Sequence, residues 1–142
     1  MYHALFTKKL RIMTRYADIH CHSTFSDGTC SPQDLVDKAC EAGLRGLSIT
    51  DHDNIKAYDT VRDYAQEKEL HLIPGVEFSA MHKDTNVHVL GYSFITTHPT
   101  LSTFCHKHIL QRRDRNTLIL DKLKKYGIHI EEQEIFDIHK LT

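Results

Sequence analysis

The sequence lacks the features that would assign it to several specialised classes of protein. It contains no tryptophan, only three prolines and six glycines among 142 residues, and no low-complexity stretch. Its apolar runs are far shorter than the roughly 18 residues that a membrane-spanning helix needs. The 40% of hydrophobic residues is ordinary for a globular domain. The chain is therefore expected to fold, and not to cross a membrane.

An excess of charge of one sign is also absent. The 18 basic side chains are matched by 19 acidic ones, so the chain carries almost no net field of its own. A general affinity for polyanions usually appears as a basic patch or an overall basic balance. The composition therefore does not favour a general nucleic-acid-binding role.

The cysteines do not form a recognisable disulfide framework. The four of them, Cys21, Cys30, Cys40 and Cys105, include no Cys-x-x-Cys pair, and no apolar core of a secretory signal precedes them. We interpret them as reduced thiols of a cytoplasmic protein. Residues 1–16 are interpreted as a basic leader that can be disordered, and residues 17–142 as one domain.

Short apolar runs then alternate with helical patterns, which is typical of β-α units around a largely parallel sheet. A closed eight-stranded β/α barrel needs at least about 200 residues, so any barrel here is partial. Strands are predicted at 17–22, 46–50, 72–78, 87–92 and 128–130. Helices are predicted at 31–41, 57–68 and 99–126, with a helical stub from Glu131.

Local signals support the boundaries of these elements. Ser31 followed by Pro32 is a typical helix start, and Gly127 is a typical helix stop. Pro74 predicts a bulge or an unpaired position in the third strand. The polar residues 81–86 are predicted to form a loop between the third and fourth strands.

Histidine is the residue type in excess, with 12 copies. Several fall at the ends of predicted strands, where parallel β/α folds bind ligands. The candidate metal ligands are His20 and His22 at the end of the first strand, Asp27 in the following loop, His52 after the second strand, Glu77 near the carboxyl end of the third, and His88 in the fourth. Imidazole and carboxylate groups together suit Zn, Mn or Fe better than Mg or Ca. Gly28 is expected to give the Asp27 loop a residue with positive φ.

The remaining histidines are interpreted as surface residues. Isolated copies such as His71, His82 and His129 are assigned no role. His106 and His108 lie in a predicted helix, where two residues apart they point about 200° from each other. They therefore cannot share a metal, and we interpret both as helix surface.

Four segments contain the candidate ligands with characteristic neighbours. They are His-Cys-His-Ser-Thr-Phe-Ser-Asp-Gly at 20–28, Thr-Asp-His-Asp at 50–53, Pro-Gly-Val-Glu-Phe-Ser-Ala at 74–80 and His-Val-Leu-Gly-Tyr at 88–92. In order and spacing they resemble the PHP (polymerase and histidinol phosphatase) metal-dependent phosphoesterases. The third segment and Arg-Arg-Asp-Arg-Asn at 112–116 are most similar to the branch of the nucleoside 3',5'-bisphosphate phosphatases and the exoribonuclease RNase AM.

The resemblance implies the N-terminal part of a distorted β/α barrel with up to three divalent metals, Mn, Zn or Fe. It implies metal sites held by His20, His22 and Glu77, by Glu77 and His88, and by Asp27 and His52. Glu77, His52 and Asp27 would be the catalytic groups, with Glu77 bridging metals. A metal-activated hydroxide would hydrolyse a nucleotide or short oligonucleotide phosphate.

Three arginines are candidates for holding a second phosphate of the substrate. Arg112, Arg113 and Arg115 carry guanidinium forks that match phosphate geometry. They lie within four residues of one helix, so they cannot all face one pocket. The alternative interpretation is a solvated helix face.

The resemblance also implies ligands that this chain does not supply in order, namely another histidine and a late Asp-x-His. Asp137 and His139 have that spelling but occur too early. An incomplete barrel is expected to bury its open side in a homo-oligomer and to show weak metal binding and activity. The alternative functions are a catalytically silent metal-binding remnant acting as an interaction module, and a polymerase-associated PHP module.

Overall fold

The computed structural model describes residues 16–131, which form two β-sheets and three helices. In chain order the elements are β1 (Ala17–Cys21), α1 (Pro32–Glu41), β2 (Gly46–Ile49), α2 (Lys56–Glu67), β3 (His71–Leu72), β4 (Gly75–His82), β5 (Thr85–Tyr92) and α3 (Pro99–Lys125). The predicted stub and Asp137 with His139 lie outside the described residues, as does the leader up to residue 15. Within residues 16–131, no helix is both long and apolar enough to span a bilayer.

The first half of the fold is the predicted parallel β-α arrangement. Strands β1, β2 and β3 form a parallel sheet in that order. Helices α1 and α2 cover this sheet with buried side chains that include Val36 and Val61. The predicted start of α1 is confirmed, because Ser31 and Asp34 form a capping box and Pro32 follows the cap.

The predicted third strand is two strands. Ile73 still donates its amide to the carbonyl of Leu47 at 2.9 Å, but Pro74 has no amide hydrogen and interrupts the ladder. The chain pairs again further on, where Glu77 forms a parallel bridge with His52. Gly75 lies between these points, packed so closely on β2 that a Cβ atom would overlap Ser48 Oγ.

Strands β4 and β5 form an antiparallel hairpin, in place of a further parallel strand. The predicted loop at 81–86 is therefore wrong, since pairing continues to His82 and Thr85. The turn contains only Lys83 and Asp84, which both have positive φ, as two-residue hairpin turns require. Glu77 consequently lies near the amino end of its strand, and not near the carboxyl end as predicted.

Helix α3 packs on the hairpin through a second, smaller core of Ile55, Val76 and Cys105. It ends close to the predicted residue, with Gly127 at φ 78°. The predicted strand at 128–130 does not form: these residues have no regular structure.

Candidate metal centre

The candidate site is built around the carboxylate of Glu77, which is 5% exposed. Its Oε2 atom lies 2.9 Å from His20 Nε2 and 3.0 Å from His22 Nε2. Its Oε1 atom lies 2.7 Å from His88 Nδ1. One buried carboxylate therefore contacts imidazoles from the end of β1 and from β5.

A second carboxylate, Asp27, approaches the cluster from the loop after β1. Its two oxygens lie 3.3 Å from His22 Nδ1 and 3.4 Å from His52 Nε2. The other ring nitrogen of His52, Nδ1, faces Glu77 Oε2 at 3.9 Å. His52 therefore stands between a buried and an exposed carboxylate.

All six predicted ligands are thus brought together, in three groups that could each hold a metal ion. Within each group the ligand atoms lie within 4.8 Å of one another. The groups are His20, His22 and Glu77; His22, Asp27 and His52; and His52, Glu77 and His88. Glu77, His22 and His52 each belong to two groups, so neighbouring metals would share ligands.

The chemistry of the side chains fits divalent metal ions. His52 Nδ1 is buried and has no hydrogen-bond partner among the described residues. A buried polar atom of this kind costs free energy unless a ligand binds its lone pair or accepts its proton. His20 and His22 point their Nε2 atoms at the same carboxylate oxygen, 3.3 Å from each other. A cation coordinated by these nitrogens and by Glu77 would satisfy them together. The mixture of imidazole and carboxylate is the one that Zn, Mn and Fe accept.

Two of these side chains are held in the protonation state that binds metal. Burial lowers the pKa of His52, against the opposing charges of Asp27 and Glu77. Burial alone would raise the pKa of Glu77, but hydrogen bonds from His20 and His88 lower it overall. His52 is therefore held neutral and Glu77 ionised, which are the forms that bind metal.

The loop that carries Asp27 is anchored by a residue that the sequence analysis did not single out. Asp51, fully buried, accepts hydrogen bonds from Ser23 N at 2.7 Å, Ser23 Oγ at 2.6 Å and Ser26 Oγ at 2.6 Å. The Ser26 hydroxyl also lies 3.2 Å from Asp27 Oδ1. Asp51 therefore sets the path of the loop from beneath.

Gly28 is required in this loop for a different reason from the predicted one. It does not have positive φ; the glycines that do are Gly43 and Gly127. A Cβ atom at Gly28 would instead overlap the backbone carbonyl of His22. The loop closes so tightly on β1 that only a residue without a side chain fits.

The predicted arginines have different surroundings. Arg112 donates from Nε and Nη2 to the buried carboxylate of Asp53, at 3.2 and 3.1 Å, and from Nη2 to Ser79 Oγ at 2.7 Å. Arg113 and Arg115 are exposed on α3. Only Arg112 therefore reaches the residues next to the candidate ligands.

His108 is not simply helix surface, as was predicted. Its Nδ1 lies 3.7 Å from Asp53 Oδ1, and its ring packs on Phe104. The prediction was wrong because the face of α3 that meets the hairpin cannot be read from a helix whose apolar residues lie on several sides. His71, His82, His106 and His129 are exposed and lie outside the three groups.

Sequence reasoning missed Asp51 and Asp53. Both flank His52 directly. Two aspartates around a candidate ligand, just after an apolar strand, were the available signal for supporting residues. Their burial was the property that the pattern could not show, because aspartates next to a loop are usually exposed.

Comparison with known proteins places these residues in a family. Residues 18–133 match the PHP domain. The chain is 40% identical over 116 residues to a 5'-3' exoribonuclease of Haemophilus influenzae, covering 82% of this chain and 42% of the relative. It is 28% identical over 128 residues to the phosphoribosyl 1,2-cyclic phosphate 1,2-diphosphodiesterase of Eggerthella lenta, covering 88% of this chain and 48% of the relative.

A solved structure from Bifidobacterium adolescentis, assigned as a metal-dependent phosphoesterase, superposes with a TM-score of 0.79 at 30% identity. That match covers 87% of this chain and 43% of the other. The chain thus spans less than half the length of each of these relatives. The matched region contains the three ligand groups and their supporting elements, and the chain belongs to the PHP domain family.

Proposed function

We propose that the chain binds divalent metals at His20, His22, Asp27, His52, Glu77 and His88 and hydrolyses the phosphate esters of nucleotides or short oligonucleotides. The observation that carries this proposal is the convergence of three overlapping ligand groups on the buried carboxylate of Glu77. The relatives support the substrate class, since one is named an exoribonuclease and another a cyclic phosphate diesterase.

The chemistry follows from the donor set. Bound divalent metals lower the pKa of coordinated water toward neutrality and offset the charge that grows on phosphoryl oxygens. Glu77 can contribute one oxygen toward the side of His20 and His22 and the other toward His88, since its Oε2 and Oε1 atoms already face these two sides. It is therefore the side chain best placed to hold two metals at a fixed separation.

Asp27 is the most exposed of the six candidate ligands, with 62% of its side chain accessible. His20 and His88 are also open, at 48% and 49%, whereas 15% of the His52 side chain is accessible. A phosphate ester can therefore reach the cluster beside Asp27. There Asp27 can also hold a proton of an attacking water, which is the role of a general base.

The test pairs metal content with turnover. Protein purified without chelator is analysed by plasma mass spectrometry, and phosphate release from adenosine 3',5'-bisphosphate is measured with added Mn. We expect two or more metals per chain with turnover, and loss of both in His52→Ala. His106→Ala, which removes an exposed histidine of α3 outside the three groups, is the matched control and is expected to behave as wild type.

A specific set of results would contradict this proposal. At most one metal per chain, no phosphate release, and a His52→Ala variant indistinguishable from wild type would overturn the proposal. Metal binding at the cluster without any turnover would instead support the alternative function, a catalytically silent metal-binding module.

A further inference from the structure

The strongest unexplained feature beside the candidate centre is the ion pair between the buried Asp53 and the partly exposed Arg112. We propose that this pair is a latch that positions His52 and Glu77 for metal binding, and that Arg112 is a positioning residue, not a ligand of substrate phosphate. The metal-binding part of this inference rests on the proposed function; the latch itself rests on the contacts described below.

The first step is the connection to His52. Asp53 follows His52 directly, is fully buried, and has φ at 52°, in the left-handed region. Its amide donates to the carbonyl of Glu77 at 3.0 Å. An unusual backbone conformation persists only where surrounding contacts enforce it. At Asp53, the contacts of its own side chain enforce it.

The second step is the connection to Glu77 and His88. Asp53 Oδ1 accepts from the amide of Ser79 at 2.9 Å, two residues beyond Glu77 on β4. Ser79 is also the residue that pairs with His88 across the hairpin. The Asp53 carboxylate therefore ties the segment after β2 to both strands that carry ligands.

The third step is the charge. The Asp53 side chain is fully buried, and its Oδ2 atom lies 3.1 Å from Arg112 Nη2 in an ion pair. A buried carboxylate that loses its cation is strongly destabilised. Arg112 supplies that cation with two nitrogens and also donates to Ser79 Oγ. Arg112 thus bridges α3, the Asp53 turn and β4.

The two roles of Arg112 make opposite predictions for metal affinity. A residue that binds substrate phosphate acts only when substrate is present, so its loss raises KM and leaves metal affinity unchanged. A latch orients the ligands before substrate arrives, so its loss weakens metal binding itself. Partners that orient metal ligands typically change metal affinity by about 10- to 100-fold.

The experiment measures Zn and Mn affinity of the full chain by competition with a chromophoric chelator, without substrate. Arg112→Gln is expected to weaken binding at least about tenfold. Arg112→Lys, which keeps the charge and loses the fork, should fall between Arg112→Gln and wild type. Lys107→Gln removes one exposed positive charge from the same helix and is the matched control, expected to bind metal as wild type does.

A second variant, at Asp53, controls for misfolding of the Arg112 variants. Asn tolerates positive φ better than most residues, so Asp53→Asn removes the charge and keeps the backbone conformation accessible. The double variant Asp53→Asn with Arg112→Gln should lose no more affinity than either single variant, because both remove one interaction. Wild-type metal affinity in Arg112→Gln, or additive losses in the double variant, would overturn the latch.

Amide hydrogen exchange of the metal-free protein separates this inference from the proposed function. Arg112→Gln should accelerate exchange of the Ser79 and Asp53 amides and leave the α1 amides unchanged, whereas Lys107→Gln should change neither. If the wild type binds no metal, the proposed function fails and the exchange result still decides the latch. Unchanged exchange at Ser79 and Asp53 would overturn it.

Discussion

Glu77 and His88 contact each other diagonally across the hairpin, with Glu77 Oε1 2.7 Å from His88 Nδ1. Glu77 is paired in register with Leu90, and His88 with Ser79, so the two side chains lie two rungs apart on the same face of the ladder. Diagonal neighbours on one face of an antiparallel pair are within reach of long side chains. The register of the hairpin therefore delivers His88 to the carboxylate that His20 and His22 approach from β1.

This arrangement predicts that Glu77→Gln removes most of the metal affinity. The amide keeps the size of the side chain but loses the negative charge that three imidazoles surround. We expect the loss to exceed the roughly 10- to 100-fold effect typical of residues that only orient ligands. Zn and Mn affinity, measured by chelator competition, checks the prediction.

Glu67→Gln is the matched control for that experiment, because Glu67 is exposed at the end of α2, away from the three groups. It should bind metal as wild type does. Retention of wild-type affinity in Glu77→Gln would mean that the carboxylate is not a ligand.

The capping box of α1 predicts an acid-sensitive contribution to stability. Hydrogen bonds from the Ser31 hydroxyl, at 2.6 Å, and the Ser31 amide, at 3.0 Å, lower the pKa of Asp34. A carboxyl group with a lowered folded-state pKa stabilises the protein above its ordinary pKa, about 3.9. That contribution is lost as the pH falls through the lowered value.

Ser31→Ala should therefore reduce the free energy of unfolding by about 1 kcal/mol at neutral pH. The difference from wild type should narrow as the pH falls from about 4 through the lowered pKa of Asp34, because a protonated carboxyl accepts these bonds less well. Urea unfolding of the wild type and of Ser31→Ala across this pH range measures the difference in the free energy of unfolding, with Ser102→Ala on α3 as a control. A difference that stays constant with pH would contradict the reciprocal bond.

The outer surface of α3 predicts self-association. Leu118 is 68% exposed and Ile119 46%, and the two are neighbours on this helix. Exposed apolar surface of this kind favours burial against another molecule. Light scattering of the full chain should show a species larger than a monomer, and Leu118→Glu should shift it toward the monomer.

Gln111→Glu is the control for that shift, since it introduces the same charge at an exposed polar position of α3. A sharp monomeric peak for the wild type would contradict the prediction of a homo-oligomer, and an equal effect of both variants would assign the shift to charge alone.

Motifs and local signals predicted a large part of the site. His20, His22 and His52 could be placed because they end short apolar runs, and the carboxyl ends of parallel strands meet at one edge. The start of α1 at Ser31 and Pro32 depends on contacts within one turn, so it too could be read directly. These features arise from residues that are near each other in the chain.

The hairpin could not be predicted in the same way. Alternation of apolar residues is compatible with a parallel or an antiparallel strand. The turn residues Lys83 and Asp84 have positive φ, but neither is the glycine or asparagine that usually marks such a turn. The predicted loop at 81–86 and the predicted end position of Glu77 both failed for this reason. Pairing direction depends on which strand is available in space.

Local patterns in the chain were enough to identify the residue types that could bind metal, the β-α order of the first half, and the family. The folded arrangement was needed to show that Asp51 and Asp53 are buried supports and that Arg112 faces a carboxylate. Burial and ion pairing depend on neighbours in space, which the order of residues does not give. Asp53 and Arg112 are separated by 59 positions, and their contact exists only once α3 has packed on the hairpin.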